Sequence, residues 1–176
     1  AALYGGAVYG ANGYSHVFLE RTSFVENRAT DPAKGSGGGI ATTGQLRINN
    51  STFANNSSVM DGGAIHAKKG NAAEEKYIFN STFTGNVAVG SKNGGAISVE
   101  ASKVFLVNSL LAYNYTSNSA SNPTSAELND LAVVNGDGAY EVYYSMLHGD
   151  NGTALAAQLA SSAPTGCTDA YGPTCD

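Results

Sequence analysis

The sequence predicts an all-β fold, a parallel β-helix (solenoid) of about five to six coils, and three observations lead to this prediction. Two short phrases, Phe-x-x-Asn and Gly-Gly-Ala-Ile, alternate along the chain with a period close to 30 residues. A period of this length indicates a solenoid, because each unit can bury its apolar face only against its neighbours. The units are rich in Gly, Asn, Ser and Thr, which disfavour helix interiors and so argue against helical repeats.

Each predicted coil contains both phrases in the same order. The Phe-x-x-Asn phrase lies within 21–27, 50–56 and 80–86, with Leu in place of Phe in 108–114 and a looser copy in 144–150. The Gly-Gly phrase is found at 5–8, 37–40, 62–65 and 94–97. Short alternating runs such as 17–19, 46–48 and 104–106 precede the first phrase and read as strands. One coil is therefore a strand, a bend, the Phe strand, a variable loop and the Gly-Gly strand.

Equivalent residues of successive coils should form ladders, because stacked strands lie about 4.8 Å apart. The first inward apolar ladder is predicted to contain Phe24, Phe53, Phe83, Leu111 and Leu147. The second contains Leu19, Ile48, Ile78, Leu106 and Val142, and the third contains Val8, Ile40, Ile65 and Ile97. A polar ladder is expected at a corner, formed by Asn27, Asn56, Asn86, Asn114 and Asp150. Its side chains would satisfy backbone groups left free by the bend.

The alternation of Gly-Gly-Ala-Ile/Val with Phe-x-x-Asn resembles the repeats of the chlamydial polymorphic outer membrane proteins and related bacterial surface proteins, which have a pectin-lyase-like, right-handed β-helix. The resemblance covers roughly Ala1 to Asp150, and the sequence departs from it at Gly39 and after Asn114, where no Gly-Gly phrase follows. It implies a secreted or cell-surface module, often adhesive, with no catalytic centre in the repeat. The implied partners are a host surface protein, a glycan, or the neighbouring coils of a longer parent chain.

One domain is predicted, with the parallel β-helix at 1–150 and a C-terminal capping tail at 151–176. Residues 153–160 are the one convincing helical stretch, and a cap there would shield the open strand edges of the last coil. Cys167 and Cys175 are expected to form a disulfide if the protein is extracellular, and two thiols alone cannot form a structural zinc site. The chain opens inside a coil without a signal peptide, so we expect a processed chain or a fragment of a larger surface protein.

The composition argues against several classes of partner. Charged residues make up 13% of the chain and the net charge is −5. The chain therefore has no excess of positive charge to attract nucleic acid or an anionic membrane. No apolar run approaches the length of a membrane span, so we expect no membrane insertion by this segment.

No catalytic or metal centre is predicted. His16, His66 and His148 come from different coil positions without a partner at ligand spacing, so each is expected to be a surface histidine. Asp61, before a glycine pair, could help to hold calcium, but no other coil has an acidic residue in the matching place, and no cofactor is expected. The chain has no Gly-x-Ser-x-Gly elbow and no cluster of Asp, Lys or Arg like those of polysaccharide lyases, so the protein is predicted not to be an enzyme.

One surface is a candidate for ligand binding. If the second apolar ladder points inward, alternation turns its strand neighbours outward. The aromatic strip consists of the outward residues Phe18, Tyr77, Phe79, Phe105 and Tyr143. Adjacent exposed aromatic residues are typical of a binding surface, here for adhesion or for carbohydrate binding or cleavage of a pectate-lyase-like kind. In the alternative interpretation, the tail at 151–176 or the insertion after Asn114 covers them.

Overall fold

The computed structural model of this chain describes residues 4–11, 14–70, 75–90, 93–117, 127–134 and 138–147. These residues form an all-β parallel solenoid of about 4 turns, with no helix among them. The prediction of five to six coils is therefore not confirmed. The predicted helix at 153–160, the capping tail, the cysteine pair, His148 and Asp150 all lie outside the described residues.

Four sheets run along the solenoid, each with five strands. Sheet A contains β1 (Val8–Gly10), β5 (Ile40–Thr42), β9 (Ile65–Lys68), β13 (Ile97–Glu100) and β18 (Leu131–Val134). Sheet B contains β2 (His16–Glu20), β6 (Gln45–Asn49), β10 (Glu75–Phe79), β14 (Lys103–Val107) and β19 (Ala139–Tyr143). Sheet C contains β3 (Ser23–Val25), β7 (Thr52–Ala54), β11 (Thr82–Thr84), β15 (Leu110–Ala112) and β20 (Met146–Leu147). Sheet D contains β4 (Arg28–Ala29), β8 (Ser57–Ser58), β12 (Val87–Val89), β16 (Tyr115–Ser117) and β17 (Glu127–Leu128).

Strand pairing is parallel throughout sheets A, B and C, and each strand pairs with its equivalent one coil away. Sheet D departs from this pattern at its end, where β17 pairs antiparallel with β16. The sequence did not predict sheet D, whose strands lie in what was read as the variable loop. Two-residue polar strands such as β8 carry no alternation of apolar residues, so they leave no signal in the sequence.

The core is a narrow column of stacked side chains. The Phe53 ring lies between those of Phe24 and Phe83, with ring centroids 4.9 and 4.7 Å apart and planes within 5° of parallel. Leu111 and Leu147 continue this row in register. The facing rows come from sheets A and B and are almost wholly buried in the central coils, where they contain Ile48, Ile78 and Leu106 and also Ile40, Ile65 and Ile97.

One inward position of sheet B holds a charged side chain. Lys76 pairs in register with Leu46 and Val104, faces the core and is fully buried. Its Nζ donates a hydrogen bond to Ser102 Oγ at 2.8 Å. The strand that contains Lys76, β10, begins one residue before it, at Glu75.

A row of buried amides lines the corner between sheets C and D. Asn56 Oδ1 accepts hydrogen bonds from the backbone N–H and the Nδ2 of Asn27, at 3.0 and 2.9 Å. Asn86 and Asn114 repeat this arrangement one and two coils further on. Each Nδ2 from Asn56 onward also donates to a phenylalanine carbonyl of the preceding coil. Beyond Asn114 the acceptor is Asp130 Oδ1, 2.7 Å from Asn114 Nδ2.

A second polar row, not predicted from the sequence, lines the corner between sheets B and C. Ser81 Oγ accepts the backbone N–H of Ser51 and donates to Phe79 O, at 3.1 and 2.6 Å. Ser109 and Ser145 make the same pair of contacts in the following coils. A small hydroxyl therefore satisfies both a donor of the preceding coil and an acceptor of its own strand end.

The first glycine of the Gly-Gly phrase is required by the backbone. Gly37, Gly62 and Gly94 have φ of 68°, 65° and 63°, in the left-handed region. A Cβ at any of them would lie 2.0 Å from a carbonyl oxygen of the following strand. These glycines set the bend from which sheet A begins.

Candidate functional site

The aromatic strip lies on the outer face of sheet B, divided between two rows. The first row runs through Phe18, Arg47, Tyr77, Phe105 and Glu141, and the second through Glu20, Asn49, Phe79, Val107 and Tyr143. Tyr77, Phe79 and Phe105 form one contiguous group. Phe18 is separated from that group by Arg47, and Tyr143 lies beyond Val107, so the five residues are not one continuous aromatic row.

The ring faces of the central group are largely occupied by its own neighbours. Tyr77 stacks on Phe105, with centroids 4.9 Å apart and planes 11° from parallel, and lies 6.0 Å from Phe79. The Arg47 guanidinium lies over Phe79 at 5.7 Å, and Lys103 Nζ lies 4.5 Å from the centroid of Phe105. What the surface offers is therefore mainly ring edges and charged groups.

Two carboxylates on this face, those of Glu75 and Glu141, have partners within it. The Tyr77 hydroxyl donates to Glu75, which raises the pKa of Tyr77. Glu141 forms an ion pair with Lys103 and accepts a hydrogen bond from Tyr143, and these contacts lower the pKa of Glu141, Lys103 contributing most. The hydrogen bond to Glu141 raises the pKa of Tyr143. At neutral pH the Glu141 carboxylate is therefore ionised, and the Tyr77 and Tyr143 hydroxyls keep their protons.

A second cluster lies on the outer face of sheet A. His66 Nδ1 is 2.7 Å from Ser98 Oγ, and His66 Nε2 is 3.3 Å from a Glu100 carboxylate oxygen. Lys68 Nζ is 2.9 Å from the other oxygen of Glu100. The expectation of a surface histidine was wrong for His66, whose exposed fraction is 6%. The repeat could have indicated this cluster. His66 and Ser98 each come first after the isoleucine of a Gly-Gly phrase, and Lys68 and Glu100 each come third, so strand pairing brings them side by side.

The cluster does not have the access that nucleophilic catalysis needs. Ser98 is fully buried, so its hydroxyl cannot reach a substrate carbonyl. The remaining sequence candidates are dispersed, since His16 packs its ring edge against Phe18 at 5.9 Å and Asp61 Oδ1 accepts a hydrogen bond from Asn93 at 2.8 Å. Within the described part of the chain, no group of three or more His, Cys, Asp or Glu side chains is arranged to hold a metal ion. Nor does this part contain a helix long and apolar enough to cross a membrane.

Glu100 gives the protein a pH-dependent contribution to stability. Hydrogen bonds from His66 and Lys68 lower the pKa of Glu100 to about 2, although partial burial opposes this shift. A carboxyl whose pKa is lower in the folded state stabilises the fold at pH values above its unfolded pKa of about 4.3. That contribution is lost as the pH falls through about 2.

We expect Glu100→Gln to lower the melting temperature at pH 7, because Lys68 and His66 lose a charged partner. The difference from the wild type should be constant above pH about 4.5 and should shrink as the pH falls toward about 2. Thermal unfolding followed by circular dichroism across this range measures it. Glu20→Gln, at an exposed carboxylate, is the control, and a difference for Glu100→Gln that does not change with pH would contradict the prediction.

The four sheets and the stacked rows of equivalent side chains make this protein a parallel β-solenoid with coils of about 30 residues. Residues 50–68 and 80–100 match the family model of the Chlamydia polymorphic membrane protein (Chlamydia_PMP) repeat. Each match spans one strand of sheets C, D and A, and the resemblance seen in the sequence is confirmed at these two repeats. The match suggests a β-helix module of a surface protein. No curated protein and no solved structure matches the chain.

Proposed function

We propose that this chain is a non-catalytic, secreted or surface-displayed β-helix module, and that the outer face of sheet B is its adhesive surface. The observation that carries the proposal is the contiguous group of Tyr77, Phe79 and Phe105, flanked by Arg47 and Lys103. Aromatic residues and arginine are enriched at the centres of protein interfaces. The match to surface-protein repeats supports the location.

A protein partner suits this face better than a glycan does. Stacking on a sugar requires a free ring face, and the Tyr77–Phe105 stack and the two cations cover much of that area. Ring edges and paired charges suit a flat protein surface, where polar groups at the rim fix the register. The proposed partner is therefore a host surface protein. Carbohydrate binding on the same face is the second candidate, favoured by the half-buried Phe79 and the well exposed Phe18.

The test is adherence of beads coated with the full chain to cultured host cells. We expect Tyr77→Ala and Phe105→Ala each to weaken binding by about tenfold, as truncation of an interface anchor typically costs at least 1–2 kcal/mol. Thr52→Ala, exposed on sheet C, is the matched control and should bind like the wild type. Adherence unchanged by both aromatic substitutions would contradict the proposal.

Soluble polysaccharide arrays distinguish the second candidate, carbohydrate binding, from binding of a protein partner. Binding that is lost on Tyr77→Ala or Phe79→Ala would favour carbohydrate recognition by sheet B over a protein partner. Turnover of any glycan by the wild-type chain would contradict the assignment as a non-catalytic module.

A further inference from the structure

The outer face of sheet A contains a gap at one register position. Tyr9, Ala41 and His66 occupy the same register position on three successive strands. Because Ala41 has only a methyl group, the two larger side chains stand on either side of a notch. Their backbones lie two strand spacings apart, roughly 9–10 Å. Ala41 itself is 2% exposed, so the floor of the notch is recessed below the surface.

The chain segments that precede sheet A build walls around this notch. The resulting cavity has a volume of about 270 Å³ and is lined by Tyr4, Tyr9, the segment 33–36, Met60 and Asp61, together with His66, Lys68 and Glu100. Tyr4 stacks on Tyr9 with centroids 4.9 Å apart and planes 17° from parallel. A stack of two rings keeps two outer ring faces, in contrast to the aromatic group on sheet B.

The charged side chains that line the cavity are equal in number for the two signs, and they provide both hydrogen-bond donors and acceptors. Among the lining residues, Asp61 and Glu100 have acidic side chains and Lys34 and Lys68 have basic ones, so these four formal charges cancel. Glu100 is held by Lys68 and His66, and Asp61 by the Asn93 amide, which fixes both carboxylates in place. Lys34 makes no ion pair with any residue that the structure describes. A charge-balanced cavity favours a neutral ligand over an anion or a cation.

We propose that this cavity binds a single neutral pyranose residue. A pyranose has an apolar face of C–H groups and a rim of hydroxyls that both donate and accept hydrogen bonds. The C–H face would pack on the tyrosine pair, while Asp61 and Glu100 accept from the hydroxyls and Lys34 donates to them. The volume lies just below the roughly 300–1,000 Å³ of pockets for drug-sized ligands, which suits one sugar residue rather than an oligosaccharide.

The site is independent of the adhesive surface proposed on sheet B. It lies on a different sheet and shares no residue with the aromatic strip. A sugar held here would be a terminal residue of a glycan that projects away from the solenoid. The result for one proposal therefore does not decide the other.

The test is saturation-transfer NMR on the full chain with the methyl glycosides of glucose, galactose, mannose and N-acetylglucosamine. Methyl glucuronide and inorganic phosphate serve as anionic probes. We expect at least one neutral glycoside to bind with a millimolar dissociation constant. Tyr9→Ala and Asp61→Asn should each weaken this binding by about tenfold or more, a loss of about 1.4 kcal/mol.

Two further variants keep the result interpretable. Ala41→Leu fills the notch from its floor and should abolish binding, and Tyr9→Phe keeps the ring and should retain it. Tyr77→Ala, on sheet B, should bind the glycoside like the wild type, and each variant is compared at an unchanged circular dichroism spectrum. The proposal is overturned if no neutral glycoside binds, if only the anionic probes bind, or if Tyr77→Ala abolishes binding while Tyr9→Ala does not.

Discussion

Phe53→Ala is expected to lower the free energy of unfolding by about 3–5 kcal/mol, the usual cost of deleting a buried aromatic ring. Phe53 is fully buried and touches a parallel ring on each side, Phe24 and Phe83. The backbone on both sides is fixed by the parallel strands of sheet C, so the coils cannot close over the cavity. Urea unfolding followed by circular dichroism measures the change.

The matched control is Phe18→Ala. Phe18 is also an in-register aromatic residue on a strand, but its side chain is 59% exposed on sheet B. Substitution at such a site usually changes stability by about 0.5 kcal/mol or less. Equal losses for the two variants would show that the Phe53 row does not carry the core of the solenoid.

Asn86→Ala is expected to be nearly as damaging, although it removes no apolar area. The amide oxygen of Asn86 accepts two hydrogen bonds from Asn56, and its Nδ2 donates to Asn114 and to Phe53 O. The substitution leaves two donors of Asn56 without an acceptor in a buried corner. At roughly 1–3 kcal/mol for each stranded group, the loss is about 2–6 kcal/mol.

Asn93→Ala is the control for this prediction. Its Nδ2 makes one partly buried hydrogen bond, to Asp61, so a loss of about 1 kcal/mol is expected. Chemical denaturation of both variants under the same conditions gives the comparison. If Asn93→Ala costs as much as Asn86→Ala, the amide row is not the stabilising element of this corner.

The repeat predicted most of the fold because the apolar residues recur at equal spacing. The Phe, Leu and Ile positions of sheets A, B and C follow in register from the sequence alone. Sheet D could not, since its inward residues, such as Ala29, Ser58 and Ala88, are small and follow no apolar pattern. They are buried only because the coils stack.

The chain after Asn114 shows where the pattern ceases to predict. The sequence has no Gly-Gly phrase there, yet Leu131 pairs with Ile97 and continues sheet A. Asp130 accepts the backbone N–H of Ile97 through its carbonyl, as Ala96 does for Ile65, so it takes the place of that alanine. Its carboxylate thereby reaches Asn114, a contact between elements that no spacing within one repeat encodes.

The two candidate surfaces differ in how far the sequence predicted them. Alternation along the strands predicted which residues of sheet B face outward, and Tyr77 and Phe105 lie side by side as the register requires. The sequence did not indicate how Arg47 and Lys103 cover the rings. The cavity on sheet A was missed because its walls, at 33–36 and 60–61, come from loops of unequal length.

The asparagine row has a direction. Each Nδ2 donates toward the next coil, from Asn27 through Asn114, so the amide dipoles align head to tail along the solenoid. As in a helix, such an alignment places partial positive charge at the donor end and partial negative charge at the other. Asp130 lies at the positive end, where its carboxylate accepts the last hydrogen bond of the row. An ionised carboxylate can only accept hydrogen bonds, so the row ends there. The coils of this solenoid are consequently not interchangeable, because a carboxylate stabilises the row at its last rung and would oppose it at Asn27.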